Sequence, residues 1–144
     1  MNARKRDSQA GTVIVEVAFT LLLLFTFLLG IIEAGRFLNV QEVLTNAARE
    51  GARMAVAPIT QTDCAFQNGC VSAGAIQTAV QRYLSAANIT NATVTPSTYT
   101  DASGVKYTTV RVTVPYSLIT MSMFSSIKVT LEGQARMRNE TSPK

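Results

Sequence analysis

The fold turns on "AGTVIVEVAFTLLLLFTFLLGIIEAGR", residues 10–36. From Thr12 to Ile32 it holds one formal charge, Glu16, in an otherwise apolar run. Roughly 21 residues at about 1.5 Å each make a helix of about 30 Å, the hydrocarbon thickness of a bilayer. The basic cluster "ARKR" precedes it, with Arg4, Lys5 and Arg6. By the positive-inside rule the N-terminus stays cytoplasmic and the chain after Ile32 is exported. A cleaved secretory signal would have an apolar core of about 7–15 residues closed by small residues. This run is longer, and "GIIEAGRF" closes it poorly. A plain signal anchor explains the length and the basic flank but gives Glu16 no purpose.

An acidic residue at the centre of a membrane helix costs about 2.5–3.5 kcal/mol, less near an end, and asks for a partner. Cleavage after Gly11 would supply one, because the new α-amino group of Thr12 lies one helical turn from Glu16. The amine of a neighbouring subunit is the alternative mate.

Beyond the span, the first proline is Pro58, so the helix can run on. Phe37, Val40, Leu44, Ala47, Gly51 and Met54 recur at three- and four-residue spacing, with Asn39, Glu42, Asn46, Arg49 and Arg53 on the other side. This predicts an amphipathic continuation over 33–57. Glu33 and Arg36, three apart, can pair at the outer interface. Gly30 weakens the helix by roughly 1 kcal/mol relative to alanine, and either lets helices approach closely or marks a place that bends. The segment "AAREGAR" reads as a solvated face with small residues for close packing, or as a subunit contact.

"TQTDCAFQNGCVSAG" follows as a loop, in which Cys64 and Cys70 enclose an Asn-Gly turn signal. Export would let them form a local disulfide worth roughly 2 kcal/mol, with free thiols as the alternative. Ile76, Val80, Tyr83, Leu84 and Ala87 mark a second, shorter helix capped by Ser72. Then "NATVTPSTYT" and "VKYTTVRVTVPYS" flank "DASG", a hairpin, with Pro96 pointing to an edge strand. Val110, Val112, Val114 and Tyr116 alternate with polar residues, as do Ile127, Val129 and Leu131, continued by Ala135 and Met137. That is the pattern of half-buried antiparallel strands. "LITMSMF" between them is core or an exposed patch. The expected architecture is α+β: a long N-terminal helix on a small antiparallel sheet, with one further short helix. It divides into a basic leader 1–11, a span 12–32, the helical continuation 33–57 and a small head 58–144.

Composition narrows function. The chain is 47% hydrophobic and 15% charged, and it has no histidine. The commonest general base and metal ligand are therefore missing, and two cysteines alone cannot hold zinc. No phosphate-binding or nucleophile-elbow motif occurs. The acids after the span are Glu33, Glu42, Glu50, Asp63, Asp101, Glu132 and Glu140, with no close pair evident. The 13 Lys and Arg against 9 Asp and Glu form no basic stripe with interleaved aromatics. The expectation is a non-enzyme with no catalytic residues, cofactor or metal and no nucleic-acid partner. The triplets at Asn88, Asn91 and Asn139 match the N-glycosylation pattern as chance would in an Asn/Thr-rich segment.

Basic leader, Gly11 and glutamate at the fifth following position resemble the processing site of type IV pilin-like proteins. "IIEAGRFL", "LTNAAREGARMA" and "GQARMRNE" narrow the likeness to the TadE family of the tight-adherence (Tad/Flp) pilus system. The resemblance covers about Gly11–Val56 well and the C-terminal half loosely. It implies a minor pseudopilin of the bacterial inner membrane, cut between Gly11 and Thr12 by a membrane prepilin peptidase. Glu16 would then serve peptidase recognition or subunit registry, with Gly30, Glu33 and Arg36 as assembly candidates. The implied partners are that peptidase, other pilin or pseudopilin subunits, the inner-membrane assembly machinery and the bilayer. Two other readings stay open: a signal-anchored extracytoplasmic binding module, and a pseudopilin of a secretion system.

Overall fold

The computed structural model describes residues 4–56, 71–118 and 128–139, with side chains from Gly11 onward. Its elements are α1 (Arg4–Val56), α2 (Ala73–Ala86), β1 (Thr93–Thr100), β2 (Lys106–Ser117) and β3 (Lys128–Arg138). The chain divides into two units, Met1–Phe37 and Leu38–Lys144, and α1 contributes to both.

In the first unit, α1 is apolar on every side: Val13, Phe19, Leu22, Phe25, Leu28 and Ile31 are all largely exposed. Such a helix suits lipid or a bundle of like helices, not water. Two of its hydroxyls are satisfied internally: Thr20 Oγ1 donates to the Glu16 carbonyl at 2.9 Å and Thr26 Oγ1 to the Leu22 carbonyl at 2.8 Å. A polar side chain that returns its hydrogen bond to its own helix can sit in hydrocarbon at little cost.

The second unit is a helix-on-sheet sandwich. The sheet is an antiparallel meander of order β1-β2-β3. Thr93↔Thr113 to Thr100↔Lys106 join β1 to β2, and Tyr107↔Arg138 to Ser117↔Lys128 join β2 to β3. Asp101 closes the first hairpin, its Oδ1 accepting from the backbone N–H groups of Ser103 and Val105, with Gly104 at φ +80°. Pro96 lies on β1, an edge strand as expected. Pro115 is in the central strand, yet β1 stops pairing at Thr93↔Thr113, so at Pro115 only β3 is paired with β2. A missing N–H is tolerated there as it is at an edge.

Alternation along β2 buries Val110, Val112, Val114 and Tyr116, joined by Leu131 and Ala135 of β3 and Val94 of β1. Val129, expected on this face, is 38% exposed near the start of β3, and Ile127 lies outside the described residues. Helix α2, capped by the Ser72 hydroxyl at 3.1 Å from Ala75 N, adds Ile76, Val80 and Leu84 to the core, while Tyr83 faces out. From α1 the core takes Leu44, Ala47, Ala48, Ala52 and Ala55. The buried stripe is thus shifted from the expected one: Met54 is only half-buried and Phe37 is exposed. Alanines take the inner face because the helix approaches closely. A Cβ on Gly51 would lie 2.6 Å from Val80 Cγ2, and one on Gly133 2.5 Å from the Leu44 carbonyl oxygen. At the same crossing Gln41 Nε2 donates to the Glu132 carbonyl at 2.8 Å. Small residues in "AAREGAR" therefore pack the head, with Arg49 and Arg53 turned outward.

Candidate functional site

Two regions carry chemistry beyond packing. The first is the N-terminal part of α1. The helix begins at Arg4, so the Gly11–Thr12 peptide lies inside it and not at its end. Glu16 is one turn after Thr12, exposed, in a stretch whose other exposed side chains carry no charge. Glu33 differs from its neighbours in being only 8% exposed, and Arg36 Nη1 stands 3.6 Å from its Oε1, which is the pairing expected from their spacing. Gly30 has nothing within 4 Å of an added Cβ. With Thr26 and Ala34 it lines one groove, flanked by Phe19, Leu23 and Phe27. Gly11 and Gly35 are equally unhindered, so no contact within the described chain requires glycine at these places. Cys64, Cys70 and the segment from Ile119 to Phe124 lie outside the described residues.

The second region is the face of the sheet turned away from α1. Every second residue of each strand points there: Ser97 and Tyr99 of β1, Tyr107, Thr109 and Arg111 of β2, and Glu132, Gln134 and Arg136 of β3. Arg136 Cζ lies 4.1 Å from the Tyr107 ring centroid and 5.4 Å from that of Tyr99. Arg111 Nε meets Glu132 Oε1 at 3.1 Å, diagonally across β2 and β3. Beside these groups Thr95, Ser97, Thr109, Arg111 and Gln134 line a depression of about 490 Å³. Sequence reading finds no basic–aromatic run because none is contiguous: the three strands supply one residue each to the cluster of Tyr99, Tyr107 and Arg136. The signal was the alternation itself, read for the buried face and not for its complement.

Among the described residues no group of histidine, cysteine or carboxylate side chains could hold a metal. Of the asparagines in the glycosylation triplets, Asn139 is buried: the residue is 1% exposed and its Oδ1 accepts from Thr108 Oγ1 at 2.9 Å.

Comparison with known proteins adds one finding. The family model for TadE-like protein matches residues 11–53, the stretch that carries Gly11, Glu16, Glu33 and three of the core alanines of α1, Ala47, Ala48 and Ala52. No curated protein and no solved structure matches the chain. A TadE-like segment on a helix long and apolar enough to cross a membrane fits a membrane-anchored, Tad-associated pilin-like protein.

Proposed function

We propose that this chain, TadE-like over residues 11–53, is a minor pilin-like subunit cleaved between Gly11 and Thr12 and engaged in assembly of a Tad/Flp-type pilus. The observation that carries the reading is Glu16: an exposed carboxylate in an apolar span, one turn from Thr12. Cleavage would turn Thr12 N from a peptide nitrogen into an ammonium, giving Glu16 an opposite charge within reach in its own chain or a neighbour's.

The position of the cut inside α1 gives Gly11 a role. A peptidase must draw the backbone out of the helix, and a glycine there makes local unwinding cheaper by about 1 kcal/mol than alanine would. It also leaves the scissile carbonyl without an adjacent side chain. The anchor stays in the inner membrane with its N-terminus cytoplasmic and Leu38–Lys144 outside. Transfer of the span from lipid into a helix bundle gains little hydrophobic energy, because lipid tails are as apolar as leucine. Register must then come from packing along the Thr26–Gly30–Ala34 groove and from Glu16, with work supplied by an assembly motor. The partners are a prepilin peptidase, further pilin-like subunits and that machinery.

The test is intact mass and N-terminal sequencing of the protein from its native host. A start at Thr12 supports the reading, and a mature chain that keeps Met1 overturns it. Glu16→Ala is expected to leave membrane insertion intact and to impair processing or assembly. Normal piliation in that variant counts against the role of the carboxylate.

A further inference from the structure

The open face of the sheet has no part in the span or in processing. By the two-residue alternation, Arg111, Lys128, Arg136 and Arg138 share it, among the described residues, with one acid, Glu132. The depression beside Arg111 is lined by hydroxyls and an amide, from Thr95, Ser97, Thr109 and Gln134. We propose that this face binds an acidic polysaccharide, with Arg136 taking the carboxylate of a uronic-acid unit and the Ser/Thr/Gln depression taking the hydroxyls of the adjoining sugar.

The stack of Arg136 on Tyr107 and Tyr99 supplies the reason. Both rings lie within cation–π reach of the guanidinium, and this contact restrains the side chain. Contact with a ring face consumes no N–H donor, and a guanidinium's planar fork suits a two-toothed bond to a carboxylate. A fixed arginine loses less freedom on binding than a mobile one. Arg111 is held similarly by Glu132 at 3.1 Å, so its charge is partly balanced and Arg136 is the stronger anion site. Hydroxyl and amide side chains next to it can both donate and accept, as a sugar's hydroxyls require. A single-stranded nucleic acid would also meet positive charge here, but it depends on bare aromatic faces for base stacking. Both tyrosines already lie in contact range of the Arg136 cation, and Tyr107 is half-buried. The polar depression therefore favours a glycan.

The experiment uses the full chain in nonionic detergent, with immobilised polygalacturonate as ligand and neutral dextran and polythymidylate as comparison ligands. Saturable binding to polygalacturonate at least about tenfold tighter than to dextran is expected, since charge-assisted bonds are roughly twice as strong as neutral ones and more than one forms. Arg136→Gln should weaken it about tenfold, and Arg136→Lys about fivefold, because lysine keeps the charge but not the planar fork. Gln134→Ala, which changes no charge, should weaken it about threefold. Arg82→Gln, on α2 and outside this face, should leave affinity unchanged. Circular dichroism of each variant confirms that the fold persists. Absence of binding, wild-type affinity in Arg136→Lys, equal losses in Arg82→Gln and Arg136→Gln, or tighter binding of polythymidylate would each overturn the proposal. The readout does not involve Glu16 or the cut, so it stands or falls apart from the pilus reading.

Discussion

Gly133 sits where β3 runs under α1, and a methyl group there would press on the Leu44 carbonyl and on Thr45 N at 2.7 Å. Backbone cannot step aside as a side-chain tip can. Gly133→Ala is therefore expected to destabilise the head by about 1–3 kcal/mol, the usual cost of overpacking, read as a lower denaturation midpoint. Gly30→Ala is the contrasting case, because an added Cβ meets nothing within 4 Å. It should leave the melting of the isolated subunit unchanged or slightly raised, since alanine is the better helix former. A piliation defect in that variant would then be intermolecular. A third residue-scale test concerns the buried Thr108–Asn139 pair. Asn139→Ala takes away the acceptor of a buried hydroxyl and should cost about 1–3 kcal/mol. Combining it with Thr108→Val should cost less than the two single changes added, which a double-mutant cycle measures. These positions also show what a sequence conceals. Gly51 reads as a weak point in a helix, and Gly133 carries no mark at all. Each is explained only by a neighbour distant in the chain, Val80 for one and Leu44 for the other.

At the scale of elements, local chemistry decides more. Ser72 is the N-cap of α2, as its position before the periodic run implied, and Ser72→Ala should cost about 1 kcal/mol, seen as a lower melting temperature. Near the end of α1, Arg53 donates to both Glu50 carboxylate oxygens, at 2.7 and 3.0 Å. That bond, helped by charge attraction and opposed by slight burial, holds the Glu50 carboxyl below its ordinary pKa. A depressed carboxylate stabilises the fold above its unfolded pKa, and the gain is lost as pH falls through the lower, folded value. Glu50→Gln should thus narrow the small stability advantage of neutral over acid pH, and both variants should melt alike once Glu50 is protonated. The pair is solvent-exposed, so the effect is small and shrinks with salt. The strands and α2 were legible because one face is buried and the period is regular. The stripe on α1 was displaced because a hydropathy pattern rewards Phe37 and Met54 for size, whereas a close helix–sheet crossing selects Ala48, Ala52 and Ala55. The open face of the sheet was not legible, since residues spaced by alternation across three strands form no motif in the chain.

For the molecule as a whole, one helix serves two solvents. Its first part exposes apolar side chains on every side, and its continuation from Leu38 buries alanines against a sheet. The first part has no polar face to present to water, so the full chain should fractionate with membranes and resist alkaline extraction. Leu23→Arg places a charge mid-span at a cost of about 2.5–3.5 kcal/mol and should lower the inserted fraction, whereas Glu16→Ala should not. Orientation is a separate question, and it rests on Arg4, Lys5 and Arg6. Basic residues resist translocation, so the cluster is expected to hold the N-terminus inside and send Leu38–Lys144 outward. Replacing all three with asparagine removes that bias while leaving the apolar span intact. A reporter enzyme fused after Lys144, active only outside the cytoplasm, should be highly active on the natural sequence. It should lose much of that activity in the triple variant, with membrane content unchanged. Equal activity in the two would show that the basic cluster does not set the topology. A silent reporter on the natural sequence would place the head in the cytoplasm, away from any pilus.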